Sequence, residues 1–271
     1  MTTEFWARIP RDVVVASGPD ATSFLQSLVS QDLDPVAVGA SAHALLLQPQ
    51  GKLLVDMHML HVETDSWWCV CEGGYASALA DGLRRFKIRV KADVEPLAVS
   101  AIGVRGAEPE VGQLAKVAVD WDGRPAFDIV GAEPAVEAFA ATLGLHELDE
   151  SGYERARIEA GVPRQGFDTD ERTIPQEAFL DRSAVSFTKG CFLGQELVCR
   201  IDTRGHVNRA LRRLRAAEPN LARGESVMAG DKKVGEVTSS AGDVALAMVR
   251  HEVEPGAPVA VGATTATVEA V

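Results

Sequence analysis

The stretch "SFTKGCFLGQELVCR", residues 186–200, places a cysteine between groups that can change its chemistry. Lys189 stands two residues before Cys191, and Gly190 permits a tight turn between them. A nearby ammonium and the start of a following helix both favour a thiolate. The residues alone leave four roles open for Cys191: nucleophile, metal ligand, redox switch, or small buried side chain.

Composition narrows the class of protein. The chain has 271 residues, a hydrophobic fraction of 46% and a net charge of −12, as expected of a soluble globular protein. That charge argues against a general nucleic-acid or anionic-membrane surface. With no apolar run of membrane-spanning length and no signal peptide pattern, we expect a cytoplasmic protein.

The other cysteines and the histidines give no metal pattern. Cys69 and Cys71 fall on one face of a predicted strand beside tryptophans, which favours packing. The chain has no C-x-x-C, and His58 and His61 face opposite sides of a strand. We therefore predict no metal site.

The pattern of elements predicts an α+β protein. Residues 20–33 are typical of a helix, and residues 42–62 of a β-hairpin that turns at residues 49–52. From residue 208 onward, short β-like runs alternate with Gly, Pro and Asp turns, which indicates a small all-β module. We predict a body over residues 1–207, made of two interleaved α+β lobes, and a C-terminal β-barrel over residues 208–271.

Several separated stretches resemble one family in the same order: "LLLQPQGKLLVDMHML", "DWDGRPAFDIV", "RIEAGVPRQGFDTDERTIPQEAFLD", "FTKGCFLGQELVCRIDTRGHVNRAL" and "KVGEVTSSAGDVALAMVR". The sequence resembles the folate-binding YgfZ family, relatives of the glycine-cleavage T-protein (aminomethyltransferase). The resemblance covers nearly the whole chain, and the K-G-C-F-L-G-Q-E run is its most specific part. It implies a three-part cloverleaf around a tetrahydrofolate channel, and support of iron–sulfur protein assembly or repair, including enzymes that modify tRNA.

The resemblance assigns two carboxylates to the folate. Asp56, expected to close the strand after the turn, matches an acid that faces the reactive nitrogens and aids one-carbon chemistry. Glu177, in "TIPQEAF", matches the acid that accepts the pterin ring N–H and its neighbouring amino group. The alternatives are a surface acid at a strand end, and a first-turn glutamate stabilised by the helix dipole.

The motif match makes Cys191 a candidate functional thiol that handles sulfur or contacts a cluster. Lys189 is predicted to favour its thiolate or to pair with an anionic folate group, and Glu196 to fix the loop by hydrogen bonds to backbone N–H groups. Six arginines lie in residues 200–215, beginning with Arg200. They are predicted to attract the folate glutamate tail, tRNA or an acidic partner, with Lys87, Arg89 and Lys91 adding to the site from one face of a strand. Ordinary salt bridges in a solvated linker are the alternative.

Three functions fit these residues. The first is a tetrahydrofolate-binding accessory protein whose partners are iron–sulfur proteins or their assembly factors, with Asp56 and Cys191 as reactive residues. The second is an aminomethyltransferase-like one-carbon transferase; against it, Val55 stands where T-proteins carry a second acid. A third is a non-catalytic folate-binding adaptor. The missing stacking aromatics argue against direct nucleic-acid binding.

Overall fold

The computed structural model describes residues 4–271, and the chain divides into two compact units. The first comprises the residues up to Asp149 together with Arg182–Leu197. The second comprises Glu150–Asp181 and Val198–Val271. The boundary predicted between residues 207 and 208 stays a prediction.

The first unit holds two five-stranded sheets and the helices that cover them. One sheet has the strand order β10-β1-β7-β9-β8, and the other has the order β3-β4-β5-β2-β6. The strands are β1 Phe5–Arg8, β2 Arg11–Ser17, β3 Ser41–Leu47, β4 Leu53–Glu63, β5 Ser66–Glu72, β6 Asp93–Leu97, β7 Ser100–Arg105, β8 Ala115–Ala118, β9 Ala126–Gly131 and β10 His146–Leu148. The helices are α1 Ala21–Leu28, α2 Ala76–Arg84 and α3 Glu133–Ala140.

Strand β4 shows how the sequence sorts core residues from polar ones. Val55, Met57 and Met59 are buried in the core that α1 and α2 cover. Because side chains alternate along a strand, Asp56 and His58 lie on the other face. The predicted hairpin of residues 42–62 is confirmed, since β3 and β4 pair antiparallel with His43 opposite His58. Asp56 lies within β4 rather than at its end, so that expectation was wrong.

A second expectation about the first unit was also wrong. Lys87, Arg89 and Lys91 were predicted to share one face of a strand, but the segment between α2 and β6 forms no strand. Arg89 has a φ of 59°, in the left-handed region that strands do not use. The three cations therefore do not form a strand face.

The second unit contains a closed six-stranded barrel in the order β11-β14-β13-β12-β15-β16. Its strands are β11 Arg209–Ala216, β12 Ser226–Ala229, β13 Lys232–Ala241, β14 Val244–Arg250, β15 Pro258–Val261 and β16 Thr264–Glu269. Valines and alanines that point inward fill the barrel core. The predicted α+β class and the C-terminal β-barrel are confirmed.

Three further helices and one 3-10 turn complete the described part of the chain. Helix α4 is Glu150–Glu159, the 3-10 turn is Pro175–Ala178, α5 is Asp181–Ala184, and α6 is Gln195–Arg204. Buried Arg157 fixes α4 to β13, since its guanidinium donates to Ser239 Oγ at 2.8 Å. Across residues 4–271, each helix is too short or too polar to cross a membrane.

Candidate functional site

Asp56 belongs to a chain of three hydrogen-bonded side chains in the first unit. His43 Nε2 lies 2.6 Å from Asp56 Oδ1, and His43 Nδ1 lies 2.9 Å from Ser183 Oγ. With Nε2–H donating to the carboxylate, Nδ1 can accept from the serine hydroxyl. The imidazole therefore connects a carboxylate to a hydroxyl, and a proton can be passed along this relay.

Buried Ser30 places Ser183 beside His43. Its hydroxyl donates to Ala184 O at 2.5 Å and accepts from Leu45 N–H at 2.8 Å. One side chain thus ties α5, which carries Ser183, to β3, which carries His43. A buried hydroxyl whose donor and acceptor sites are both satisfied fixes such a contact at little cost.

The electrostatics of this cluster favour an ionised Asp56. Burial acts to raise the pKa of its carboxyl, but the imidazole of His43, with His58 and Arg11, outweighs burial and holds the pKa below its usual range. His58 stacks on His43 with ring centroids 4.5 Å apart. Burial and the neighbouring His43 lower the pKa of His58 to about 3, so the ring is neutral at pH 7.

Sequence reasoning missed His43 and Ser183, although a signal existed for the first. In the predicted hairpin, residues 43, 45, 56 and 58 share one face, so the register alone brings His43 near Asp56. Ser183 lies 140 residues from His43, and nothing local connects them.

The ammonium of Lys189 binds backbone carbonyls in the first unit. Its ammonium donates to the backbone carbonyls of Gln26, Val29 and Gln31 at 2.7–2.8 Å, at the C-terminal end of α1. Carbonyls at a helix end lack partners within the helix and attract cations. Burial lowers the pKa of Lys189 to about 8. The folate contact predicted for Lys189 stays a prediction.

Two glycines pack the Cys191 loop against the hairpin turn. Gly51 has a φ of 80°, and a Cβ there would lie 2.6 Å from Leu197 Cβ. Gly194 has a φ of 78°, and its Cβ would lie 2.4 Å from Gln48 O. Both positions require glycine, because backbone approaches backbone too closely for a side chain. The specific K-G-C-F-L-G-Q-E run is thereby held beside the turn that leads into β4.

Cys191 is exposed and is followed by α6, which begins at Gln195. Glu196, predicted to fix this loop, is exposed on the helix. Instead, Gln195 Oε1 accepts from the Phe192 N–H at 3.3 Å, so the prediction for Glu196 was wrong. A glutamine in the first turn reaches back to the preceding backbone, as in a capping box.

The remaining cysteines have different surroundings. Cys69 and Cys71 are buried, and burial raises the pKa of Cys69 to about 12, in keeping with the predicted packing role. Cys199, on α6, is partly exposed, and burial with nearby Asp202 raises its pKa. Within residues 4–271, no three His, Cys, Asp or Glu side chains are grouped so that they could hold a metal ion.

Glu177 lies in the second unit and is only 5% exposed. Its Oε1 accepts from Arg209 Nε at 2.8 Å, and its Oε2 accepts from Arg209 Nη2 at 3.1 Å. Oε2 also accepts from the Ile174 N–H at 3.0 Å. The carboxylate therefore binds two parallel N–H donors of one planar group, with its position set by the backbone of the 3-10 turn.

The arginines of residues 200–215 divide into two sets. Arg200 and Arg204 are exposed on α6. The other four belong to β11, so the linker alternative was wrong for them. Arg213 and Arg215 both pair with Glu269 on β16. The folate contact predicted for Arg200 stays a prediction.

A solved structure and a family model identify the fold of this chain. The chain superposes over its whole length on the glycine cleavage system aminomethyltransferase T of Bartonella henselae, with a TM-score of 0.84 at 20% identity and 86% of that chain covered. Residues 209–271 match the family model of the CAF17 C-terminal beta-barrel domain. The protein therefore has the aminomethyltransferase T fold with a CAF17-type barrel.

Relatives that are similar in sequence show which proteins of this fold the chain resembles. The chain is 29% identical to the human mitochondrial iron-sulfur cluster assembly factor IBA57, with 89% of this chain and 76% of that protein covered. It is 28% identical to the tRNA-modifying protein YgfZ of Edwardsiella ictaluri, with 76% and 69% covered. The resemblance to YgfZ proteins and T-proteins that the sequence motifs indicated is confirmed.

Proposed function

We propose that this protein binds tetrahydrofolate and supports the assembly or repair of iron–sulfur proteins, including enzymes that modify tRNA. The names of its relatives, an iron-sulfur cluster assembly factor and a tRNA-modifying protein, support the role. The aminomethyltransferase T fold supports the ligand.

The observation that carries the folate proposal is the bidentate pair at Glu177. A pterin presents a ring N–H beside an exocyclic amino group, and a guanidinium presents two N–H groups in the same parallel arrangement. Glu177 already binds such a pair from Arg209. The buried carboxylate thus has the shape and charge to hold the pterin edge after Arg209 moves aside.

Asp56 is the proposed second folate residue. An ionised carboxylate can accept a hydrogen bond from a folate N–H and stabilise positive charge that develops on a nearby amine. His43 and Ser183 position Asp56 and give a proton a route away from it. Bound tetrahydrofolate would supply amine nitrogens able to carry one-carbon groups.

Two features favour the accessory function over a transferase. Val55, where T-proteins carry a second acid, is fully buried in the core, so Asp56 has no adjacent carboxylate at that position. Cys191 is exposed, where the thiol is accessible to a partner protein. We propose that Cys191 contacts the iron–sulfur partner and that the cluster itself is cargo.

The test is a calorimetric titration of the reduced protein with tetrahydrofolate. Glu177→Gln and Asp56→Asn are expected to weaken binding, each by about tenfold or more, because each removes a charged acceptor. Glu196→Gln removes an exposed carboxylate of the same kind and is the matched control. Absence of saturable binding to folded wild-type protein would overturn the folate proposal.

A further inference from the structure

The second unit contains a cavity that is lined in part by Arg209, the partner of Glu177. Its volume is about 760 Å³, within the range of small-molecule sites. One wall is the loop of residues 166–173, and another is formed by residues of β13 and β14. The cavity is therefore built largely on rigid barrel strands.

The lining of this cavity is basic, although the chain as a whole carries a net charge of −12. The cationic lining residues are Arg172, Arg209, Arg223, Lys233 and Arg250, and the acidic ones are Asp168, Asp170 and Glu236. Five cations against three acids leave two positive charges in excess. A concave wall of one sign concentrates ligands of the opposite sign.

The acids of the lining are already neutralised by specific partners. Asp168 accepts from the buried guanidinium of Arg157 at 2.7 Å. Asp170 pairs with Arg172 at 3.0 Å, and Glu236 pairs with Lys233 at 3.1 Å. These carboxylates therefore do little to offset the remaining cations.

Two guanidinium groups carry the excess charge. Among the described residues, neither Arg223 nor Arg250 forms an ion pair with a carboxylate. Arg223 is instead held over the ring of Phe167 at 4.2 Å, and its Nη2 donates to Gly166 O at 3.2 Å. Arg223 is thus positioned by a ring and a carbonyl, with the carboxylate of Glu154 near enough to attract it but not in contact, which leaves its donors available to an anion.

A buried hydroxyl provides an independent sign of a ligand. Thr169 lines the cavity and is only 2% exposed. Its Oγ1 has no hydrogen-bond partner within residues 4–271. A buried polar group without a partner lowers stability, so such a group in a cavity indicates a missing acceptor or donor.

We propose that this cavity binds a small polyanion carrying at least two carboxylate or phosphate groups. Arg223 and Arg250 neutralise its charge, and Thr169 donates a hydrogen bond to one of its oxygens. The volume limits the ligand to a small molecule. The cavity adjoins Glu177, because Arg209 lines it and also pairs with that carboxylate. The anion proposal rests instead on Arg223, Arg250 and Thr169, so the variants below test it separately from the folate proposal.

The experiment is a calorimetric titration with inorganic pyrophosphate and, separately, with tricarballylate, each at constant ionic strength. Saturable binding of either anion is expected, and the stronger binder shows whether phosphate or carboxylate groups are preferred. Arg250→Gln should weaken binding by about tenfold or more, because a charged hydrogen bond is lost. Arg204→Gln removes an exposed charge from the same unit outside the cavity and should leave binding unchanged.

Thr169→Val separates a ligand contact from a structural one. Removing an unpaired buried hydroxyl should keep or raise the melting temperature, while anion binding weakens. If neither anion binds to folded wild-type protein, or if Arg204→Gln weakens binding as much as Arg250→Gln, the proposal is wrong.

Discussion

Arg209 binds Glu177 through two nearly parallel hydrogen bonds, of 2.8 and 3.1 Å, and so occupies the carboxylate that we propose for the pterin. The ligand must displace this guanidinium before it can bind. Glu177 is nearly buried, whereas the Arg209 side chain is 42% exposed, so solvent borders the guanidinium that the ligand would displace. The pair therefore keeps a buried charge satisfied until the ligand arrives.

Replacing Arg209 with methionine should separate its effect on stability from its effect on ligand affinity. Arg209→Met removes two of the three hydrogen bonds to the Glu177 carboxylate described above and leaves the one from the Ile174 N–H, so the free energy of unfolding should fall by about 1–3 kcal/mol. Tetrahydrofolate affinity, measured by calorimetry, should rise roughly fivefold, because one competing hydrogen-bonded pair is removed.

Arg213→Met is the matched control for that measurement. Arg213 also lies on β11 and pairs with a glutamate, but that glutamate is Glu269 on β16 rather than Glu177. Its loss should reduce stability without raising folate affinity. A loss of affinity in folded Arg209→Met would mean that Arg209 itself holds the ligand and would contradict the competition described above.

His58 should remain neutral well below the pH at which histidines usually titrate. Its pKa in the folded protein, about 3, lies below the ordinary value of 6.5. The stability it contributes is therefore full above about pH 6.5 and is lost as the pH falls toward 3, since the unfolded state binds the extra proton. The slope is about 1.4 kcal/mol per pH unit for one proton.

Proton NMR of the imidazole resonances tests this directly. The His58 signal, assigned by its absence in His58→Gln, should not shift between pH 8 and pH 5. His146→Gln removes an exposed histidine of the same unit and serves as the control for the assignment and for the unfolding slope. A His58 midpoint near pH 6 would show that the ring is solvated and would contradict its burial behind His43.

Gly51 and Gly194 should be intolerant of any side chain. Alanine at either position meets a neighbouring atom closer than 3.0 Å and also strains a positive φ, so we expect a loss of roughly 2–4 kcal/mol in the free energy of unfolding. Gly39→Ala isolates the second cost, because φ there is 86° and no atom lies within 4 Å of the added Cβ. That control should lose about 1–2 kcal/mol.

Urea unfolding of the three alanine variants provides the comparison. If Gly51→Ala and Gly194→Ala lose no more stability than Gly39→Ala, the loop and the turn are not in close contact. If they lose more, the close packing of the Cys191 loop on the hairpin turn is established in solution.

Sequence patterns within short stretches of the chain correctly predicted the hairpin and the C-terminal barrel. The hairpin that carries Asp56 follows from alternation around a turn, and the C-terminal barrel from short strands between Gly, Pro and Asp turns. The same alternation fixed the face that Asp56 shares with His43. The position of Asp56 within β4 was mispredicted, because the boundary of a strand is harder to locate from sequence than the strand itself.

Contacts between distant segments could not be predicted in this way. Lys189 binds carbonyls about 160 residues earlier in the chain, and its two neighbours in sequence give no sign of that. A lysine next to a cysteine suggested activation of a thiol, but tertiary structure directs its ammonium to the end of α1. Likewise, Glu177 meets Arg209 only because the 3-10 turn packs beside the first barrel strand.

We expect Cys191 to be the thiol that the protein needs in order to support iron–sulfur proteins. Because it is exposed, it should react with a thiol reagent in the native protein much faster than Cys69 and Cys71, whose burial keeps them protonated. In cells that lack this protein, Cys191→Ser should fail to restore the activity of an iron–sulfur enzyme that depends on it. Folding and tetrahydrofolate affinity should be unchanged.

Cys199→Ser is the matched control, since Cys199 is a second partly accessible cysteine close in sequence. We expect it to restore the enzyme fully. If Cys191→Ser restores activity as well as the wild type does, the thiol has no part in the accessory function. If both variants fail with folate affinity intact, the two thiols act together, and the assignment to Cys191 alone is wrong.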